Sequence, residues 1–279
     1  MKYLLILFCL LIPQLHRAQS LPLQDIPYFP SSLAGHDPQR HLLDVYPAQN
    51  ANSKTPVAIF IHGGKWRLGS KDQYKFFGRK FAKNGITTIV ISYRLTPQAQ
   101  DYLPMAMDCA YAVKWVYDHI EEYGGDKNKI FLYGHSSGGH LSALIASNDR
   151  FFDSTGIANP VKGCVLLDAF GLNIDSYLQT INKKDEWMYT IFTKDQTAWK
   201  DACPVNFIEK ESVRFLLYTG TNSPQRIRSD GEKFFDAATE FHKDAELVSL
   251  YNAGHLTIVF QLYYTKHRMY KRFIKFMNS

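Results

Sequence analysis

From about residue 41 onward the chain repeats one pattern, a short run rich in β-branched and aromatic residues followed by a longer amphipathic stretch, and this alternation restricts the fold more than any other feature. A strand that is apolar along its whole length needs a cover on both faces. The helix that follows it supplies one cover and carries the chain back to begin a parallel neighbour. The pattern predicts strands at 42–46, 57–61, 87–92, 130–133, 165–168, 215–219 and 247–251, and helices near 71–84, 102–123, 137–147, 229–243 and 256–276. In 102–123, Met105, Cys109, Ala112, Val113, Val116 and Ile120 recur at three and four residues, and Gly124-Gly125 stops the helix. The expectation is an α/β fold with a mostly parallel sheet between two helical layers. Residues 170–206 break the rhythm. They carry Tyr177, Trp187, Tyr189, Phe192 and Trp199 with weak periodicity, as a lid-like insertion over the sheet edge would.

The chain has 279 residues, of which 46% are hydrophobic, so a sizeable core is available and a disordered polymer is excluded. No linker or internal repeat divides it, and one domain is expected over 21–279. The first twenty residues read as an export signal: Lys2, an apolar run over 3–12, a polar stretch from Pro13, and Ala18-Gln19-Ser20 at a small-x-small cleavage site. That run is too short to span a bilayer. A secreted or periplasmic protein without a stable membrane anchor is expected, a retained N-terminal anchor being the alternative. Loss of Lys2 and Arg17 lowers the formal charge from +6 to +4, and the remaining bases are interleaved with acids, which predicts no nucleic-acid partner. Cys9 leaves with the leader. Cys109, Cys164 and Cys203 allow at most one bridge, are expected as buried thiols, and have no metal spacing.

Chemistry concentrates after the predicted strand at 130–133, where Gly134-His135-Ser136-Ser137-Gly138-Gly139 leads into a helical pattern. This is G-x-S-x-G between a strand and a helix. A single tight turn there forces Ser136 into a strained conformation and leaves its Oγ clear of the sheet, while Gly134 and Gly138 avoid collisions with neighbouring backbone. Ser137 is the competing hydroxyl, but its offset from the two glycines is wrong. The amide of Ser137 opens the helix and points at charge forming near Ser136. His62-Gly63-Gly64-Lys65-Trp66 follows the predicted strand at 57–61, and side-chain-free Gly63 and Gly64 would let amides approach a bound carbonyl. His255, between the last strand and the last helix, is positioned to act as a base. His242 and His267 lie in helical patterns, and His119 lies near a helix end. The pairs His36/His41 and His135/His140 are five apart and do not stack on a helix face, so no metal site is expected.

Together with Leu43-Asp44-Val45-Tyr46, Gly69 and Lys71, Ser92-Tyr93-Arg94-Leu95-Thr96-Pro97, Glu122-Tyr123-Gly124-Gly125-Asp126 and Cys203-Pro204-Val205, these motifs carry a resemblance. From about residue 42 to the end the chain is similar to α/β-hydrolases of the esterase branch shared by hormone-sensitive-lipase-like enzymes, bacterial feruloyl and acetyl-xylan esterase-like proteins, kynurenine formamidases and isoprenylcysteine methylesterases. The resemblance implies Ser136 as nucleophile, His255 as base, oxyanion amides from Gly63, Gly64 and Ser137, and no cofactor. One position departs. Where the family places its acid, in a turn like Gly-Thr-x-Asp-Pro, this chain has Gly220-Thr221-Asn222-Ser223-Pro224. Asp168, at the end of the preceding strand, is the substitute we expect. Asn222 and Asp230 are the other candidates, and a loop cap or an ion pair with a lysine of the insertion is the alternative role for Asp168. A serine carboxylesterase acting on small or carbohydrate-linked esters, acyl or feruloyl, follows as the expectation. The alternatives are an amidase or formamidase on the same machinery and a non-catalytic binding protein that kept the fold.

Overall fold

Side chains alternate across a strand, so Val57-Ala58-Ile59-Phe60-Ile61 needs cover on both faces. In the computed structural model, which describes residues 21–49, 51, 53–209, 213–263 and 268–278, that segment lies inside an eight-stranded sheet. The predicted leader at 1–20 lies outside the described residues. The strands are β1 (Leu23–Pro27), β2 (Leu42–Tyr46), β3 (Thr55–Ile61), β4 (Thr87–Ile91), β5 (Gly125–His135), β6 (Val161–Leu167), β7 (Arg214–Gly220) and β8 (Glu246–Leu250), ordered β1-β2-β4-β3-β5-β6-β7-β8. The β1–β2 and β2–β4 pairings are antiparallel, and every pairing from β4 to β8 is parallel. All seven expected strands are present. The unexpected β1 is mostly exposed and so has no apolar signature.

The helices are α1 (Lys75–Lys83), α2 (Tyr102–His119), α3 (Ser137–Ser147), α4 (Arg150–Asp153), α5 (Ile174–Leu178), α6 (Tyr189–Phe192), α7 (Gln225–Phe241), α8 (Thr257–Phe260) and α9 (Arg268–Asn278). On one face of the sheet Val57, Ile59, Ile61 and Leu132 pack with Met105 and Val113 of α2 and Leu144 of α3. On the other, Ala58, Phe60 and Tyr133 pack with Phe77 and Phe81 of α1 and Phe273 of α9. The helix expected over 102–123 ends as predicted: a 3₁₀ turn (Ile120–Tyr123) follows α2 and is closed by Gly124 at φ 79°. The single helix expected over 256–276 is instead α8, a 3₁₀ turn and α9. Among the described residues the segment between β6 and β7 holds α5, α6 and four 3₁₀ turns. Its Ile174, Leu178, Met188, Ile191, Phe192 and Trp199 join the same core as α2 and α3.

Register sets the functional rim. Ile61 lies opposite Gly134, His135 opposite Leu167, Leu167 opposite Tyr218, and Gly220 opposite Leu250, so the carboxyl ends of β3, β5, β6, β7 and β8 are level. From β3 the chain first crosses to β4 on one side and then returns to β5 on the other. Crevices at the carboxyl ends of strands form at such a reversal. Cys109, Cys164 and Cys203 are buried thiols, and among the described residues no helix is long and apolar enough to cross a membrane.

Candidate active site

The turn from β5 to α3 is as tight as its two glycines imply. A Cβ at Gly134 would come within 2.3 Å of the Gly138 carbonyl oxygen, and one at Gly138 within 2.2 Å of the Ile61 carbonyl oxygen, so no side chain fits at either position. Ser136 is forced to φ 54°, ψ −121°, a conformation that L-residues rarely adopt. Its Oγ donates to His255 Nε2 at 2.9 Å. The carboxylate opposite the ring fixes the imidazole tautomer: Nδ1–H faces Asp168 Oδ2 at 3.4 Å, which leaves Nε2 to accept. Apo contacts of this kind are often long and tighten on binding. Asp168 is fully buried at φ 42°. Its Oδ1 accepts the Gly220 amide at 2.9 Å and its Oδ2 accepts the Ser223 hydroxyl. These donors replace the water that burial removes from a carboxylate.

The structure therefore brings together Ser136, His255 and Asp168. It separates the other acid candidates from them: Asp230 pairs with Arg226 at 3.0 Å, and Asn222 is an exposed turn residue whose amide donates to Ala253. Two participants were missed by the sequence reading. Ser223, counted there as a vacancy in the family's acid position, is a donor to Asp168. His135, the variable residue before the nucleophile, donates Nε2–H to the backbone carbonyl of His255 at 2.8 Å and packs 5.0 Å from its ring. It clamps the loop that presents the imidazole. The signal for Ser223 was available, since a hydroxyl in place of a carboxylate beside a second carboxylate invites a donor.

The loop after β3 lies against this turn. A Cβ on Gly63 would meet the His135 carbonyl oxygen at 2.8 Å and Ser136 Cβ at 3.1 Å, while Gly64 adopts φ 133° with Leu68 backbone 2.0 Å from where its Cβ would be. Both positions admit only glycine. Among the described residues the amides of Gly64 and Ser137 donate to no protein group, whereas the Gly63 backbone faces the Tyr74 hydroxyl and opposes the rise that burial imposes on that phenol. The motif residues outside the site hold this loop. Tyr93 donates to the His62 carbonyl at 2.8 Å, Arg94 forks onto Asp108 of α2, and buried Lys71 bridges Asp44 and Asp25 at 2.7 and 2.6 Å. Trp66, wholly buried, packs against Phe170 and Phe192 from the segment after β6.

His62 stacks on Tyr93 and is held by burial to a pKa of about 3, so it is a neutral strut. Burial likewise holds His135 and His140 at about 4. The unfolded chain binds these protons near pH 6.5 and the folded one does not. Stability is thus intact above pH 6.5 and is lost as pH falls from there toward 4. Three such groups lower the unfolding free energy by about 4 kcal/mol between pH 7.5 and 5.5. Denaturant titrations at the two pH values check this, and His140→Gln should remove about a third of the difference. Equal midpoints at both pH values would contradict the buried-neutral assignment.

A strained serine after a central parallel strand, a histidine after the last strand and a buried carboxylate on the same rim define the α/β-hydrolase fold. The BD-FAE family model matches residues 43–234, more than half of the chain, and the chain belongs to that family. It is 35% identical over 117 residues to a probable isoprenylcysteine alpha-carbonyl methylesterase of Arabidopsis thaliana, covering 42% of this chain and 24% of that protein. Over 268 residues it is 21% identical to the kynurenine formamidase of Danio rerio, covering 94% of this chain and 84% of that one. It spans about a quarter to about half of the length of the methylesterases it matches. Among solved structures, a truncated carbohydrate esterase from gut microbiota superposes with TM-score 0.76 at 19% identity, covering 94% of this chain and 98% of that one. Esterase B from Lactobacillus Rhamnosis (HN001) superposes with TM-score 0.73 at 20% identity, covering 92% and 85%. At these identities the likeness shows the fold.

Proposed function

We propose that this protein is an exported serine carboxylesterase acting on acyl or feruloyl esters carried by carbohydrate. The observation that carries the reading is the 2.9 Å bond from Ser136 Oγ to His255 Nε2 at a residue held in a strained turn. Ser136 Oγ attacks the ester carbonyl as its proton passes to His255 Nε2. The carbonyl electrons move onto oxygen, where the amides of Gly64 and Ser137, and of Gly63 once it turns from Tyr74, receive the charge. Asp168 faces the imidazolium that forms. Collapse expels the alcohol, which takes the proton from His255, and a water then repeats the cycle on the acyl-enzyme to release the acid. Water is the only co-reactant.

The carbohydrate assignment is supported by the carbohydrate esterase among the fold neighbours and by Phe170, which packs against both Trp66 and Tyr177, since aromatic faces stack on sugar and phenolic rings. Export is supported by the leader pattern at 1–20. The test is a panel of p-nitrophenyl esters, acetylated and feruloylated oligosaccharides and N-formyl anilides, with mass spectrometry of the quenched protein. Faster turnover of the sugar esters and an acyl adduct on the peptide containing Ser136 are expected. Turnover of the formyl amides alone would establish a formamidase instead, and no turnover with no adduct would leave a binding protein.

A further inference from the structure

The charge of this chain is not evenly spread. All 26 of its carboxylates lie at or before Glu246, and Lys266, Arg268, Lys271, Arg272 and Lys275 follow with none to balance them. In α9 the apolar stripe of Met269, Tyr270, Phe273, Phe276 and Met277 is buried against the sheet, so the exposed face of the helix presents Arg268, Lys271, Arg272 and Lys275 at i, i+3, i+4 and i+7. These four side chains line one wall of a groove of about 670 Å³ whose other wall is Val248, Ser249 and Leu250 of the edge strand β8 and Tyr251, which follows it. Arg272 pairs with Glu246 at 3.1 Å, while Arg268, Lys271 and Lys275 have no carboxylate partner among the described residues. Tyr251 is 84% exposed, and the chain runs from it through three residues to His255.

We propose that this groove binds a carboxylate-bearing carbohydrate chain and leads it toward the active site, so that the ester hydrolysed is a substituent of an acidic polysaccharide. The proposal rests on the esterase reading for its catalytic half, whereas the binding half stands on the groove alone. Three unpaired cations spaced along a helix match carboxylates repeating along an extended polymer, and Tyr251 offers a ring face to a sugar at the end nearer His255. Ser249 and Gln261 supply hydroxyl and amide groups between them. A flat lipid surface fits less well, because the apolar side of α9 is already spent on the core and no apolar residue of that helix is exposed.

The test compares wild type with the triple variant Arg268→Gln/Lys271→Gln/Lys275→Gln, all three exposed and outside the catalytic machinery. Affinity for polygalacturonate and for neutral xylan is measured by calorimetry, with duplex DNA and phosphatidylglycerol vesicles as further probes. Wild type should bind polygalacturonate, weakening at least ten-fold from about 50 to about 200 mM salt. It should bind neutral xylan at least ten-fold more weakly, and the triple variant should lose at least ten-fold in polygalacturonate affinity with unchanged p-nitrophenyl acetate turnover. Equal polygalacturonate binding by the variant overturns the proposal, as does equal or tighter binding of DNA or vesicles by wild type. Polygalacturonate binding lost in the variant alongside absent ester turnover in wild type would uphold the groove and remove the esterase reading.

Discussion

Replacing Ser136 by alanine lowers kcat for p-nitrophenyl acetate by about 10⁶-fold, because the hydroxyl and the base that activates it act as one unit and neither retains value alone. The amides of Gly64 and Ser137 and the substrate contacts survive the substitution, so a residual acceleration of about 10³-fold over water remains. The fold survives as well. Ser136 makes its backbone bonds through N–H to Leu167 and through its carbonyl to His140 and Phe170, none of which involves Oγ. Alanine removes one oxygen and adds no volume, and its cost at φ 54° is much the same as that of serine. Unchanged melting with activity lost is the expected pair of results. A rate for the alanine variant within ten-fold of wild type would show that the strained turn is not the reacting group.

The physical reason that Ser136 was legible in the sequence is that its geometry is local. Two glycines, a strand and a helix within a dozen residues determine the turn, and each leaves a mark on composition or periodicity. The same holds for the central strands, which are buried on both faces and therefore continuously apolar. The strand β1 was not legible, because its exposed residues have no pattern to read, and β5 begins five residues early through Gly125-Asp126-Lys127-Asn128-Lys129, a polar stretch extended only by its neighbours. Long-range polar contacts are harder still. His135 meets the His255 carbonyl across 120 positions, and nothing in the sequence around it encodes that partner, whereas Ser223, which meets Asp168 across 55, is marked only by standing where the family has its acid. Net charge misled in another way: an interleaved total concealed that acids stop at Glu246, which becomes meaningful only when α9 presents the remaining bases in one row.

Asp168→Asn should lower kcat by about 10⁴-fold with little change in KM, the outcome expected when an imidazole loses the charge opposite its Nδ1. The substitution is close to isosteric, but an amide offers one acceptor where the carboxylate has two. Asp168 Oδ1 accepts from Gly220 N–H, and Oδ2 faces both Ser223 and His255 Nδ1–H, so the amide nitrogen must oppose a donor, either the Gly220 amide or, in the Oδ2 place, His255 Nδ1–H. Facing the latter, the amide holds the ring in its other tautomer, with Nδ1 accepting and Nε2–H presented to Ser136, which can then no longer give up its proton. Ser223→Ala removes only one donor from the carboxylate, worth about 1–3 kcal/mol, and should cost at most about 100-fold. The two positions touch, so the carboxylate can be moved between them. Asp168→Asn/Ser223→Asp places an acid in the turn after β7, and recovery of at least ten-fold over Asp168→Asn alone is expected. Asn222→Ala and Asp230→Asn, at residues that make no hydrogen bond to the imidazole, should stay within about ten-fold of wild type. If either of these falls further than Asp168→Asn, the acid has been assigned to the wrong strand.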